Sequence, residues 1–501
     1  MKSRILGLVA TAGLALTACT SAQDPAAEVP AGPPPAAELA AYYNQTLEWT
    51  DCGGNECATL AVPKDYADPE LGDFEIALLR HKANDNSQGS LVLNPGGPGG
   101  SGVDYAAAAD AVLTTELTDN FDIVGFDPRG VGKSNPINCL TDAQKDEWLA
   151  ADGKPDSAAE EEKLVADAAE YGVRCEKNAA GTFEFVSTDA VVKDLDVLRA
   201  ALGEGQLDYL GKSYGTLIGA LYVAEFPDNV GRFVLDGVLP PDLDTAEIGL
   251  GQAEGFEDSL RRYVADCQEQ DDCPLAKGSV DEGVAQIDAF LDGLAEDPLP
   301  TDSDRELTQS LALGSILNYL YFPDFGDWDQ LSAGLNDGFA GDGSTLLDMY
   351  DERLQRSSNG KYADNSQEAF YAVSCLDRPV DGDPGTLEAR AEDWAESAPT
   401  FGPYLAWSDV VCAQWPVGPT GTPLEVTAAT QTPVLVVSTT HDPATPLAWA
   451  QRLSESLPDA RLVTYDADGH TAYGNRSGCV DEIVDAYLVD GDVPAQNVSC
   501  P

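Results

Sequence analysis

An α/β architecture is what this sequence predicts: a mostly parallel sheet with helices on both faces and a large, mainly helical insertion. Three observations lead there. Short apolar runs end in glycine, aspartate or histidine, namely "GSLVLNPGGPGG", "FDIVGFDPRGVGKS", "LDYLGKSYG", "RFVLDGVLPP", "TPVLVVSTTHDPATP" and "ARLVTYDADGH". Their nearly continuous apolar cores suit strands buried on both faces of a parallel sheet. Helical patterns lie between them, as in "STDAVVKDLDVLRAALGEG", where Val191, Leu195, Leu198 and Leu202 share a face and Gly203 marks the stop. The alternation lapses over residues 242–425, where stretches such as "VDEGVAQIDAFLDGLAE" read as helices folded over the carboxyl ends of the strands.

Taken in chain order, the first segment is a leader. Lys2 and Arg4 precede the apolar stretch Ile5 to Leu16, which is too short to span a bilayer. "LTAC", ending at Cys19, resembles a bacterial lipobox, whose cysteine becomes the lipidated first residue. A plain cleaved signal is the alternative. Residues 1–18 are thus the signal, 19–40 an Ala/Pro-rich tether, 41–241 and 426–501 the α/β core, and 242–425 the lid. No later apolar run is long enough for a membrane helix. The expected location is outside the cell membrane, anchored by lipid or secreted.

The chain of 501 residues carries 28 basic against 86 acidic side chains, a net charge of −58. That surface opposes nucleic acid and anionic lipid, so the only membrane contact expected is the N-terminal anchor. Its simplest use is solubility, in a salty medium for instance. Of the 11 cysteines, Cys19 is set aside for the leader, and the even remainder favours disulfides in an exported protein. Pairing in sequence order closes modest loops: Cys52–Cys57, Cys139–Cys175, Cys267–Cys273, Cys375–Cys412 and Cys479–Cys500. Connectivity does not follow from sequence alone. Without a CxxC pair, and with only 3 histidines, neither metal nor cofactor is expected.

The chemistry centres on "GKSYG", Gly211 to Gly215, between a strand and a helix. This G-x-S-x-G turn needs small neighbours to expose Ser213, and the helix behind it points its positive end at developing negative charge. A serine hydroxyl needs a base. His470, in "DADGHTAYG", follows a strand near the chain's end, and Asp442, in "STTHDPATP", follows another. Ser213, Asp442 and His470 therefore form a candidate triad in the chain order of this architecture. His441 is the awkward rival because it adjoins Asp442, and His81 reads as a strand-end residue. Asp466 and Asp468 compete with Asp442 but crowd the loop of His470. "LVLNPGGPGGSG" places glycines after a strand, where N–H groups of Gly97 and Tyr214 would form an oxyanion hole.

"NPGGPGGSG", "FDPRGVGKS", "GKSYGTLIGALYVAEFPDNVGRFVLDGV", "STTHDPATP" and "DGHTAYG" together resemble the secreted tripeptidyl aminopeptidases of the α/β-hydrolase fold. These are relatives of proline iminopeptidases, in a group that also holds exported proteases and carboxylesterases. The resemblance implies a serine exopeptidase with a helical lid, acting on peptide or protein N-termini, with Ser213, Asp442 and His470 on the triad positions. A carboxylesterase or lipase would use the same triad, and a non-catalytic binding lipoprotein is the third reading. An exopeptidase must also hold the substrate's ammonium. Asp377, in "AVSCLDRP", is the candidate, unless it merely pairs with Arg378 or solvent.

Overall fold

The computed structural model describes residues 36–501 except 324, 325 and 475. The leader and Cys19 lie outside the described residues, as does the tether up to 35. The described end of the tether is already helical: Ala37–Leu39 forms a 3-10 turn that runs into the helix Ala40–Tyr43. The Tyr43 hydroxyl fastens it by donating to Asp196 Oδ2 at 2.9 Å.

Among the described residues one sheet holds ten strands, in the order β1-β2-β3-β5-β4-β6-β7-β8-β9-β10. They are β1 (Thr50–Cys52), β2 (Asn55–Pro63), β3 (Asp73–His81), β4 (Ser90–Asn94), β5 (Asp122–Phe126), β6 (Leu207–Lys212), β7 (Val230–Asp236), β8 (Leu435–His441), β9 (Arg461–Asp468) and β10 (Val498–Cys500). The first three pair antiparallel, and every neighbour pair from β5 through β10 is parallel. The six runs read from the sequence are β4 to β9. Strands β1 to β3 and β10 carry no comparable apolar run. β3, for example, alternates buried Phe74, Ile76 and Leu78 with outward Asp73 and Glu75, as one solvated face requires.

Successive side chains of a strand feed opposite faces. Val92 packs in one core with Tyr209, Phe233 and Leu235, beneath the helices Thr188–Leu202 and Tyr214–Glu225. Its neighbours Leu91 and Leu93 join Leu210, Val234 and Val437 on the other face, against Val103 and Ala106 of the helix Gly102–Ala107. That helix lies so close to β5 that a Cβ on Gly125 would stand 1.9 Å from the Gly102 carbonyl oxygen. The helix Thr188–Leu202 ends at Gly203, whose φ of 82° is the left-handed stop the sequence marks.

Between β7 and β8 the chain is helical, beginning with Thr245–Glu269, which Asp244 and Glu247 start as a reciprocal capping box. The insertion has two parts. Its first half builds a separate core from Phe256, Leu260, Leu311, Ile316, Leu331 and Leu346. Its second half sends Val373, Leu376, Leu387 and Trp407 into the core of the sheet. The topology is that of the α/β-hydrolase fold, whose loops at the strand carboxyl ends carry the site.

All five sequence-order disulfides are formed: Cys52–Cys57, Cys139–Cys175, Cys267–Cys273, Cys375–Cys412 and Cys479–Cys500. Peptide mapping under non-reducing conditions is expected to return these five pairs, and free thiols at most of these positions would contradict the structure. A second expectation concerns Asp208, whose carboxyl burial pushes up to about 6 although Arg232 N–H donates to it at 2.7 Å. The unfolded value is about 3.9, so the folded state binds the extra proton between those values and this contribution to stability falls as pH rises through that window. Asp208→Asn should flatten that dependence in denaturant melts run across it.

Candidate active site

β6 brings Lys212 to the carboxyl edge of the sheet, and Ser213 follows at φ 55° and ψ −126°. A non-glycine residue held there costs on the order of 1–3 kcal/mol. The turn is held on both sides: Ser213 N–H donates to the Asp236 carbonyl at 2.9 Å, and the Ser213 carbonyl accepts from Thr216 N–H at 2.8 Å and its hydroxyl at 2.6 Å. The flanking glycines are steric necessities. A Cβ on Gly211 would stand 2.5 Å from the Gly215 carbonyl oxygen, and one on Gly215 would stand 2.8 Å from that of Asn94. The glycine loop after β4 lies directly on the turn, since a Cβ on Gly96 would meet Ser213 Cβ at 2.7 Å. Gly97 and Tyr214 thereby flank the serine and face the same cavity.

His470 follows β9. Its Nδ1 lies 2.8 and 2.9 Å from the two carboxylate oxygens of Asp442. Asp442 is buried and also accepts from the N–H groups of Ala444 at 3.0 Å, Thr445 at 2.9 Å and Thr471 at 3.3 Å. A carboxylate with so many donors stays oriented, and it fixes the proton on Nδ1. The other ring nitrogen, Nε2, is buried and has no hydrogen-bond partner among the described residues. The Ser213 hydroxyl is not hydrogen-bonded to it in this structure, although a Cβ on Gly237 would stand 3.1 Å from His470 Cε1, one residue beyond the Asp236 carbonyl that grips Ser213. The insertion reaches the histidine as well: the Tyr321 carbonyl accepts from His470 N–H at 2.8 Å, and its ring packs edge-on at 5.5 Å.

The competing residues are engaged elsewhere. His441 Nδ1 lies 2.9 Å from Asp258 on the first helix of the insertion, and His81 Nδ1 lies 3.1 Å from Asn55 at the antiparallel side. Asp466 accepts from the Thr440 hydroxyl at 3.1 Å, and Asp468 forms an ion pair with Arg262. Asp377 lines the cavity and makes no ion pair with Arg378 among the described residues; its hydrogen-bond donor is Thr188, through its N–H at 2.7 Å and its hydroxyl at 2.5 Å. The cap of the helix Thr188–Leu202 claims this acid, and burial pushes its carboxyl up to about 6. The Thr188 hydroxyl also lies 2.5 Å from Tyr214 Oη.

Two residues that the motifs did not single out tie these parts together. The Asp236 carboxylate, fully buried at the end of β7, accepts from Ala472 N–H at 2.8 Å and Tyr473 N–H at 3.0 Å in the histidine loop. Lys212, the second residue of the G-x-S-x-G turn, donates from Nζ to the Tyr473 carbonyl at 2.6 Å and lies 3.8 Å from Asp236. Burial raises the Asp236 carboxyl and the Lys212 charge opposes that rise. An acid ending the apolar run "RFVLD" was the available signal. Above the site, a cavity of about 460 Å³ extends from Gly97 and Tyr214 to residues of the insertion, Asp377 and Arg378 among them.

Comparison with known proteins places this geometry in context. A family model described as TAP-like protein matches residues 398–500. The chain is 37% identical over 483 residues to the serine protease Hip1 of Mycobacterium tuberculosis, covering 91% of each chain. It is 36% identical over 456 residues to carboxylesterase B of the same species, covering 89% of this chain and 86% of that one. It is 31% identical over 472 residues to the tripeptidyl aminopeptidase of Streptomyces lividans, covering 91% of this chain and 86% of that one.

Truncating Asp236 leaves two buried N–H groups without their acceptor and the Lys212 ammonium without its countercharge. Asp236→Ala is therefore expected to cost roughly 3–5 kcal/mol of stability. Chemical denaturation measures it, and a loss below 1 kcal/mol would mean that other groups hold the histidine loop.

Proposed function

Because the chain belongs to the TAP-like serine hydrolases, we propose that it is an exported aminopeptidase releasing short peptides, tripeptides among them, from free N-termini. The observation that carries the mechanism is the buried, unpartnered Nε2 of His470, with Nδ1 fixed by Asp442. In this reading Ser213 Oγ attacks the scissile carbonyl while Nε2 takes its proton, and Asp442 stabilises the imidazolium. The N–H groups of Gly97 and Tyr214 receive the oxyanion, with the helix Tyr214–Glu225 adding its positive end. The imidazolium then protonates the leaving amine, the C–N bond breaks, and an acyl-enzyme remains on Ser213. Water, deprotonated by His470, attacks the ester and restores the hydroxyl.

The preference for chain ends is supported by the roof that the insertion makes over the cavity. Asp377 faces that cavity with lone pairs beyond those used by Thr188, and it is the proposed acceptor of the substrate's ammonium. Five disulfides support export. No helix among the described residues is long and apolar enough to cross a membrane, and Cys19 is the proposed site of a lipid anchor. A carboxylesterase is the second reading, favoured by the name of one relative.

Ser213→Ala should abolish labelling by a fluorophosphonate with folding intact. His470→Ala should lower turnover by several orders of magnitude and His441→Ala by far less, and the reverse ranking would overturn the assignment. Tripeptidyl, dipeptidyl and single-residue amide reporters, each free or acetylated at the N-terminus, test the exopeptidase reading. The free forms should be cleaved faster. Their advantage should shrink as pH falls through about 6, where Asp377 takes up a proton and loses its charge. Activity confined to acyl esters would favour the carboxylesterase. Changing Cys19 to alanine should release the protein from membranes or block its processing, and unaltered retention would count against the anchor.

A further inference from the structure

Arg378 stands in the cavity wall directly after Asp377 and is 8% exposed. A guanidinium offers five N–H donors. One is used: Nε donates to the Leu243 carbonyl at 3.0 Å. Among the described residues neither terminal amino group makes a hydrogen bond, neither is fully sealed from solvent, and the residue lines the cavity. Arg129 shows what a satisfied buried guanidinium looks like here. It bonds both oxygens of Asp194 and the carbonyls of Pro63, Lys64 and Phe185.

The acids around Arg378 have other partners. Asp377 is held by Thr188, Asp242 by Arg452 at 2.8 Å, and Asp409, also in the wall, by Arg390 at 2.9 Å. In a chain with 86 acidic and 28 basic side chains, acid partners are abundant, yet no carboxylate among the described residues forms an ion pair with this cation. Asp377 and Asp242 act on the guanidinium through space without hydrogen-bonding it, which leaves its terminal N–H donors for a ligand that brings its own negative charge. The planar fork matches a carboxylate in bidentate fashion. Arg378 lines the same cavity as Gly97 and Tyr214.

We propose that Arg378 is an anion-recognition site of the substrate cavity, holding a carboxylate side chain carried by one of the residues on the N-terminal side of the scissile bond. The favoured substrates are then peptides with glutamate or aspartate among the residues released. This rests on the acyl-enzyme reading above.

The test compares amide reporters carrying Glu, Gln or Lys at each of the three positions before the scissile bond. The wild-type enzyme should prefer Glu over Gln at one position by roughly 10-fold or more in kcat/KM. Arg378→Gln should remove that preference by lowering kcat/KM for the Glu reporter far more than for the Gln reporter, and Arg378→Glu should favour Lys at the same position. Equal rates for Glu and Gln at all three positions in the wild-type enzyme would overturn the proposal without needing any variant to fold. An equal loss on all reporters in Arg378→Gln would also overturn it, by making the residue structural. Turnover that survives Ser213→Ala would instead refute the acyl-enzyme reading, so the two failures are distinct.

Discussion

The site depends on one buried carboxylate that binds segments far apart in the chain. Asp236 ends β7, and its carbonyl fixes the strained Ser213 while its side chain fixes the loop of His470. Ser213 and the loop of His470 therefore share a single point of attachment. A buried charge needs compensation, and the Lys212 ammonium beside it supplies that while reaching the same histidine loop. Strain at the serine persists because these contacts over-determine the turn.

Much of this could be read from the chain because some constraints are local. Gly211 is demanded by the carbonyl of Gly215 four residues on, so that spacing reports the turn directly, whereas Gly215 answers to the distant Asn94. Gly203 ends its helix through its own left-handed φ of 82°, also a local constraint, and the disulfides follow the sequence order that the modest loops suggested. The residues that escaped are those whose meaning comes from distant partners. Asp236 and Lys212 matter through Ala472 and Tyr473, and Thr188 matters through Asp377. No pattern within one segment encodes such meetings. Strands β1 to β3 escaped differently, because an alternating or short apolar run is a weaker signal than a continuous one.

The insertion is not a single cap. Its first half rests on its own core and touches the histidine through Tyr321, whereas its second half is rooted in the core of the sheet and carries Asp377 and Arg378. The Cys375–Cys412 bridge staples that second half beside the cavity. Apolar burial on both sides makes the wall that presents charged groups as rigid as the strands below it. Rigid placement is what lets a fork-shaped cation or a single carboxylate discriminate between ligands.

The bond from His470 N–H to the Tyr321 carbonyl has a consequence for engineering. The roof is part of the scaffold that seats the base, so it cannot be treated as an exchangeable specificity cassette. A chimera that borrows the corresponding segment from a relative inherits a new pocket. Unless the graft returns a carbonyl to the same point, it also leaves the His470 N–H without its acceptor, and selectivity and speed would then change together in a single crossover.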